Sequence, residues 1–302
     1  MGSPGNGPTS PVVARWQLAE TLRQLREKAG LTHDEVIGRV STTSNKWSKS
    51  KLSRIENQAQ GVRSGEVGQL LDVYDVTDQD LREWLTGLAT AARESGRASP
   101  LHRNFPAFFQ RFAGWESTLV AYRQFETLLV PGLLQTAEYA HALIAGIYPG
   151  LADEEVHRRV AARIARQQIF ARSNPPDLHF ILDAGILERP IGSPHVTKSQ
   201  LLRIAELADR PHITIQVLPK SSGATPGLEG PFSILTLPDQ IPDIGFTECP
   251  TRSIYIEDRD DVRIYTLRFG ILTEQALSSH ETVTVLREAA ESYHSSNEEG
   301  SP

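Results

Sequence analysis

Between residues 15 and 94, apolar side chains recur every three or four positions, the spacing that lines one face of a helix. "RWQLAETLRQLREK" puts Leu18, Leu22 and Leu25 on one side, and Gly30 supplies a stop. "LTHDEVIGRV" then opens with a capping box, Thr32 as N-cap and Glu35 three residues on, and carries Val36, Ile37 and Val40 as its apolar side. A third helix is expected from the N-cap Ser48 to Glu56, with Leu52 and Ile55 inward. "SGEVGQLLDVYDV" buries Val67, Leu70, Leu71 and Tyr74, and a fifth helix starts near Thr77 with Leu81, Leu85 and Leu88. Residues 15–94 are thus predicted to form an all-α domain of about five helices, preceded by a disordered tail over 1–14.

"SGRASPLHRN", residues 95–104, breaks this periodicity with Gly, Ser and Pro and reads as a linker. Beyond it the pattern changes. Residues 105–170 read as mostly helical, interrupted at "LLVPGLLQT". From Pro175 short apolar runs follow, "LHFIL", "HITIQVLP", "FSILTL", "DIGFTE" and "RSIYIE", mixed with the helical patterns "SQLLRIAELA" and "VRIYTLRFGILTEQAL". Residues 105–290 are therefore expected to be an α+β domain with a mixed sheet, followed by a polar tail over 291–302.

Composition narrows the class. A chain of 302 residues with 39% apolar and 23% charged residues is expected to be a soluble, globular protein of two domains. The single cysteine, Cys249, excludes an internal disulfide framework and a cysteine-rich zinc site, and suits a reducing cytoplasm. The first fourteen residues lack the basic start and apolar run of a signal peptide. Stretches of the roughly 18–20 apolar residues that cross a bilayer do not occur, so no membrane partner is expected. The net charge of −6 argues against a protein that coats nucleic acid with its whole surface. Charge is uneven, however: residues 11–75 hold ten basic and eight acidic residues, which leaves −8 for the remainder. Between Val36 and Ile55 lie Arg39, Lys46, Lys49, Lys51 and Arg54 with no acid, a local patch suited to an anion.

On a helical wheel of the third helix, Lys49, Ser50, Ser53, Arg54 and Asn57 fan out opposite Leu52 and Ile55. A helix lying in a major groove needs this arrangement, with apolar anchors inward, small residues for close approach and donors outward. Thr32 and His33, at the start of the second helix, offer free N–H groups for a phosphate, and Lys46 and Arg63 stand ready for the backbone. A solvated surface helix of a bundle is the competing reading. "LREKAGLTHDEV" followed by "WSKSKLSRIEN" resembles the helix-turn-helix of the Xre/lambda-repressor-like family. That resemblance implies base reading by Lys49, Ser50, Ser53 and Arg54, and a structural role for Glu56. The chain departs from it in the seven residues "STTSNKW" between Val40 and Ser48, where the family has a tight turn.

Further on, "LVPGLLQTAEYAHAL", "RVAARIARQQI", "LDAGILERPIG", "QVLP" and "GPFSILTLP" resemble successive motifs of a large bacterial family of antitoxin-like regulators with an uncharacterised C-terminal domain. The resemblance implies double-stranded DNA and a small protein encoded by a neighbouring gene as partners. Ala184 departs from it, standing where an acid is common. Read physically, Pro131-Gly132 breaks a helix and lets the backbone come close to something, with Gln135 and Thr136 following as polar groups; a structural kink competes with a ligand site. Arg163, Arg166 and Gln167 share a helix face and can pair with Glu116 or an acidic partner, or lie solvated. "SSGATPGLEGPF" is a flexible loop, a pocket-lid candidate without the ending of a phosphate-binding loop. No metal spacing or nucleophile elbow is present, and for the acids Glu257, Asp258, Asp260 and Asp261 a solvated turn and helix start competes with a grip on a divalent cation. The expectation is a dimeric cytoplasmic transcriptional regulator without catalysis or cofactor. A protein-interaction module with weak or no DNA binding, and a small-molecule sensor, are the competing readings.

Overall fold

The computed structural model describes residues 11–41, 47–58, 60–94, 112, 114–116, 118–238, 241–249 and 252–295. The chain forms two compact units, Met1–Ala98 and Ser99–Pro302. The expected linker over 95–104 lies outside the described residues.

The first unit is all helical: α1 (Pro11–Lys28), α2 (His33–Ser41), α3 (Lys49–Glu56), α4 (Ser64–Val73) and α5 (Gln79–Glu94). α1 begins within the segment expected to be a tail, because Val13 and Ala14 are fully buried and need a regular backbone there. Gly30 closes α1 with φ +69°, a left-handed turn in which its N–H reaches the carbonyl of Glu27 at 2.9 Å. Leu18, Leu22, Val36, Leu52, Ile55, Leu70, Leu71 and Leu85 meet in one core. Trp47 joins them, 7% exposed, with its Nε1–H on Gln69 Oε1 at 2.8 Å.

The second unit is built on a six-stranded sheet of order β3-β2-β1-β4-β5-β6. Its strands are β1 (Ala121–Glu126), β2 (Asp177–Asp183), β3 (Ile213–Leu218), β4 (Phe232–Thr236), β5 (Ile244–Cys249) and β6 (Arg252–Ile256). β1, β2 and β3 pair in parallel; β4, β5 and β6 continue from β1 in antiparallel. The helices are α6 (Ala137–Ile147), α7 (Asp153–Ala165), α8 (Pro194–Leu207), α9 (Arg259–Gln275) and α10 (Ser279–Ser295). Two expectations are corrected. The central strand β1 lies inside the stretch read as helical, and α10 runs to Ser295, into the expected tail. α10 is held there by the burial of Ala290 and by Tyr293 Oη, which donates to the Leu187 carbonyl at 2.9 Å.

Side chains alternate across the sheet. On one face Phe125, Ile181, Phe232 and Ile234 pack with Phe269 and Leu272 of α9. On the other, Tyr122 and Phe246 meet the ring of Phe112 at 6.0 and 4.6 Å, and Tyr122 Oη lies 2.9 Å from Ser233 Oγ. Gln124, Glu126 and Glu248 continue that second face by the same alternation. Among the described residues no helix is long and apolar enough to cross a membrane.

Candidate nucleic-acid interface and the polar cluster of the second unit

α3 starts at Ser48, whose Oγ accepts from the Lys51 N–H at 3.2 Å. Leu52 and Ile55 turn inward, 0% and 2% exposed, so Lys49, Ser50 and Arg54 stand in solvent and Ser53 beside them is half-buried. Lys49 Nζ lies 2.7 Å from Asp34 Oδ2, with both side chains more than half exposed. Arg54 lies along its own helix, Nε donating to the Ser50 carbonyl at 3.1 Å, and Ser53 Oγ accepts from Asn57 Nδ2 at 3.3 Å. The outward face thus keeps two cations and two hydroxyls together.

Lys51 is withdrawn from this face. Its ammonium lies 2.6 Å from Glu66 Oε1 and 4.4 Å from the centroid of the Trp47 ring. Sequence reasoning missed Trp47 as an anchor because it precedes the helix, where wheel geometry does not apply. The signal was a large aromatic directly before a serine N-cap.

Glu56 braces the helix from below. Its carboxylate is bidentate to Arg26, 2.7 Å from Nε and 3.0 Å from Nη2, and Oε2 also lies 2.8 Å from His33 Nε2. α1, α2 and α3 are thereby tied at one buried point, and the bonds from Glu56 hold the Arg26 guanidinium above its ordinary pKa. His33, expected at a phosphate, has its ring committed to this brace. Thr32 gives its N–H and its hydroxyl to Glu35 Oε2 at 2.8 and 2.7 Å, while the Glu35 N–H returns to Thr32 Oγ1. Among the described residues the N–H groups of His33 and Asp34 have no acceptor, so the helix end itself stays open to an anion. Arg63 is exposed, its N–H donating to Glu66 Oε2 at 2.9 Å, and Lys46 lies outside the described residues.

In the second unit Glu116, Gln135, Thr136, Arg163, Arg166 and Gln167 are all engaged in hydrogen bonds between distant parts of the chain. Arg166, on the 3-10 turn that extends α7, is bidentate to buried Glu116 at 2.7 and 2.6 Å. Arg163 Nη1 donates to Gln135 Oε1 at 2.8 Å, and Gln167 Nε2 to the Gln135 carbonyl at 2.6 Å. Thr136 caps α6, and its N–H donates to Gln200 Oε1 at 2.7 Å. What comes close to Gly132 is an arginine: a Cβ at that position would sit 3.0 Å from Arg166 Nη1. Burial pulls Arg163 down to about 10, with the neighbouring charge of Arg166 adding to the shift. Burial also pushes Glu126 up to about 7, opposed by the hydrogen bond from Gln124 and assisted by Glu248. Asp258 caps α9, accepting from the N–H groups of Asp260 and Asp261 at 3.0 and 3.1 Å. Among the described residues no group of three His, Cys, Asp or Glu side chains is placed to hold a metal.

Two family models match this chain. One, described as a helix-turn-helix domain, covers residues 17–85; the other, described as a domain of unknown function (DUF5753), covers residues 109–288. No curated protein and no solved structure matches.

Proposed function

The chain belongs to the DUF5753 family, whose domain spans more than half its length behind a helix-turn-helix domain, and from that premise we propose that it is a sequence-specific transcriptional regulator of the Xre type. The observation that carries the reading is the outward face of α3, where Lys49, Ser50, Ser53 and Arg54 gather opposite two buried anchors. α3 enters the major groove. Arg54 reads guanine, Lys49 reads a base edge or a neighbouring phosphate, and the two serines allow close approach. The exposed Lys49–Asp34 pair contributes about 0–1 kcal/mol, so DNA can displace Asp34. The backbone is gripped by the open start of α2, through the N–H groups of His33 and Asp34 beside the capped Thr32, and by Lys46 and Arg63.

One such unit contacts a single half-site, so the regulator binds as a homodimer to half-sites about 34–36 Å apart. The DUF5753 domain dimerises the chain or receives its signal, a small partner protein in an antitoxin-like pairing or a ligand. The protein acts where the DNA is, in the cytoplasm, and carries out no catalysis.

Genome-wide mapping of bound sites supplies the operator, and fluorescence anisotropy on that operator tests the reading. Log K is expected to fall steeply with log salt. Arg54→Ala is expected to cost about 1–3 kcal/mol and to relax preference at one base pair. An equal loss on every sequence makes Arg54 a phosphate contact instead. Absence of binding at low salt defeats the reading in favour of a protein-interaction module.

A further inference from the structure

The sheet changes direction at β1. β2 and β3 step away on one side in parallel, while β4, next in the chain, returns to lie antiparallel on the other side. In open α/β sheets the connections at such a point part to opposite faces, and ligands bind in the crevice left at the carboxyl ends of the strands. Here they do part. The chain leaving β1 packs Gly132 against Arg166 on one face. The chain entering β4 packs Gly227 against the ring of Phe125 on the other, where Glu229 pairs with Arg268 of α9. Glu126, the last residue of β1, stands at the foot of the gap.

Three charged side chains gather here with hydrogen-bonding capacity unspent, the charge of Glu248 acting on both Glu126 and Arg163. Among the described residues, Glu126 receives one bond, from Gln124 Nε2 at 2.6 Å; Arg163 gives one, to Gln135; and the Glu248 carboxylate has none. Continuing the β1–β4 and β4–β5 ladders brings Glu126 and Glu248 to either side of Pro231 on one face. Their Cα atoms are then two strand spacings, about 9–10 Å, apart, which leaves room between the carboxylates. Glu248 is exposed, yet crowding by protein raises its carboxyl against the pull of Arg163 and Arg166. Arg166 is not available there, since Glu116 occupies it in bidentate fashion.

We propose that this crevice binds a small zwitterion of the amino-acid type, with its ammonium between Glu126 and Glu248 and its carboxylate on the fork of Arg163. An ammonium brings three donors to two acceptor-only groups, and a carboxylate matches the planar guanidinium. The proposal rests on the DUF5753 domain being the signal-receiving part of the regulator and is independent of how α3 meets DNA.

The test is titration calorimetry and thermal unfolding of the full chain at pH 8 with each standard free amino acid. Any binder is then repeated as its amide, which lacks the carboxylate, and as its N-acetyl derivative, which lacks the ammonium. The expected result is one saturable site per chain, weakened at least about tenfold in both derivatives and in Glu126→Gln, and unchanged in Arg54→Ala. Operator binding by the same preparation is measured alongside, so failure of the DNA reading is seen separately. The proposal is overturned if no amino acid at about 10 mM raises the unfolding temperature, or if either derivative or Glu126→Gln binds as tightly as the parent pair.

Discussion

Glu56 is buried with both carboxylate oxygens engaged, and its removal would take the bidentate partner from Arg26, whose side chain is only 12% exposed, leaving it the Leu31 carbonyl at 2.9 Å and the longer contact to exposed Glu27 at 3.3 Å. An unpaired buried charge costs far more than the intact pair contributes. Glu56→Ala is therefore expected to lower the stability of the first unit by about 3–5 kcal/mol in urea unfolding. A loss below about 1 kcal/mol would mean that Glu27, the Leu31 carbonyl and water suffice for Arg26. Gly132 presents the opposite case, a residue that must stay small. Arg166 must yield to a Cβ by a few tenths of an ångström while Nε and Nη2 are held by Glu116, so Gly132→Ala is expected to cost about 1–3 kcal/mol by chemical denaturation. The family resemblance marked Glu56 as structural, and the residues themselves marked Pro131-Gly132 as a close approach. Neither partner was legible, because Arg26 and Arg166 lie far off in the chain and are two among many arginines.

At the scale of elements, α3 divides its cations by direction. Lys49 and Arg54 point to solvent, whereas Lys51 folds onto Trp47 and Glu66. If α3 meets phosphate or bases, Lys49→Met should reduce the slope of log K against log salt by about one, and Lys51→Met should leave that slope unchanged. Equal slope changes in the two variants would mean that Lys51 leaves Glu66 on binding. The helices of the first unit were legible because their caps and apolar periods agree, as at Thr32, Glu35 and Ser48. β1 was not. Its sequence "AYRQFE" lacks the apolar alternation of a strand because Gln124 and Glu126 face a polar cluster in place of a core. The polarity that hid the central strand is the same polarity that makes the candidate crevice.

The whole molecule joins a unit with a basic helix face to a larger acidic one, and its pH response should be divided in the same way. In the second unit, Glu126 faces Gln124 of its own strand and Glu248 of β5, and Glu248 in turn feels the charges of Arg163 and Arg166. Burial raises its carboxyl from 4.5 to about 7. Below the lower value both the folded and unfolded chain hold the proton, so burial exacts no charge penalty there. Between the two values the unfolded chain releases its proton while the folded chain keeps it, and stability falls as pH rises through that window. Glutamine keeps the shape and cannot ionise. Glu126→Gln is thus expected to match the parent near pH 4.5 and to exceed it by roughly 1–3 kcal/mol at pH 8. Calorimetric unfolding across that range should place the gain in the transition of the second unit and leave the first unmoved. A constant offset between variant and parent would mean that Glu126 ionises as freely as in the unfolded chain. The carboxylates at the end of β1 would then be ordinary surface groups.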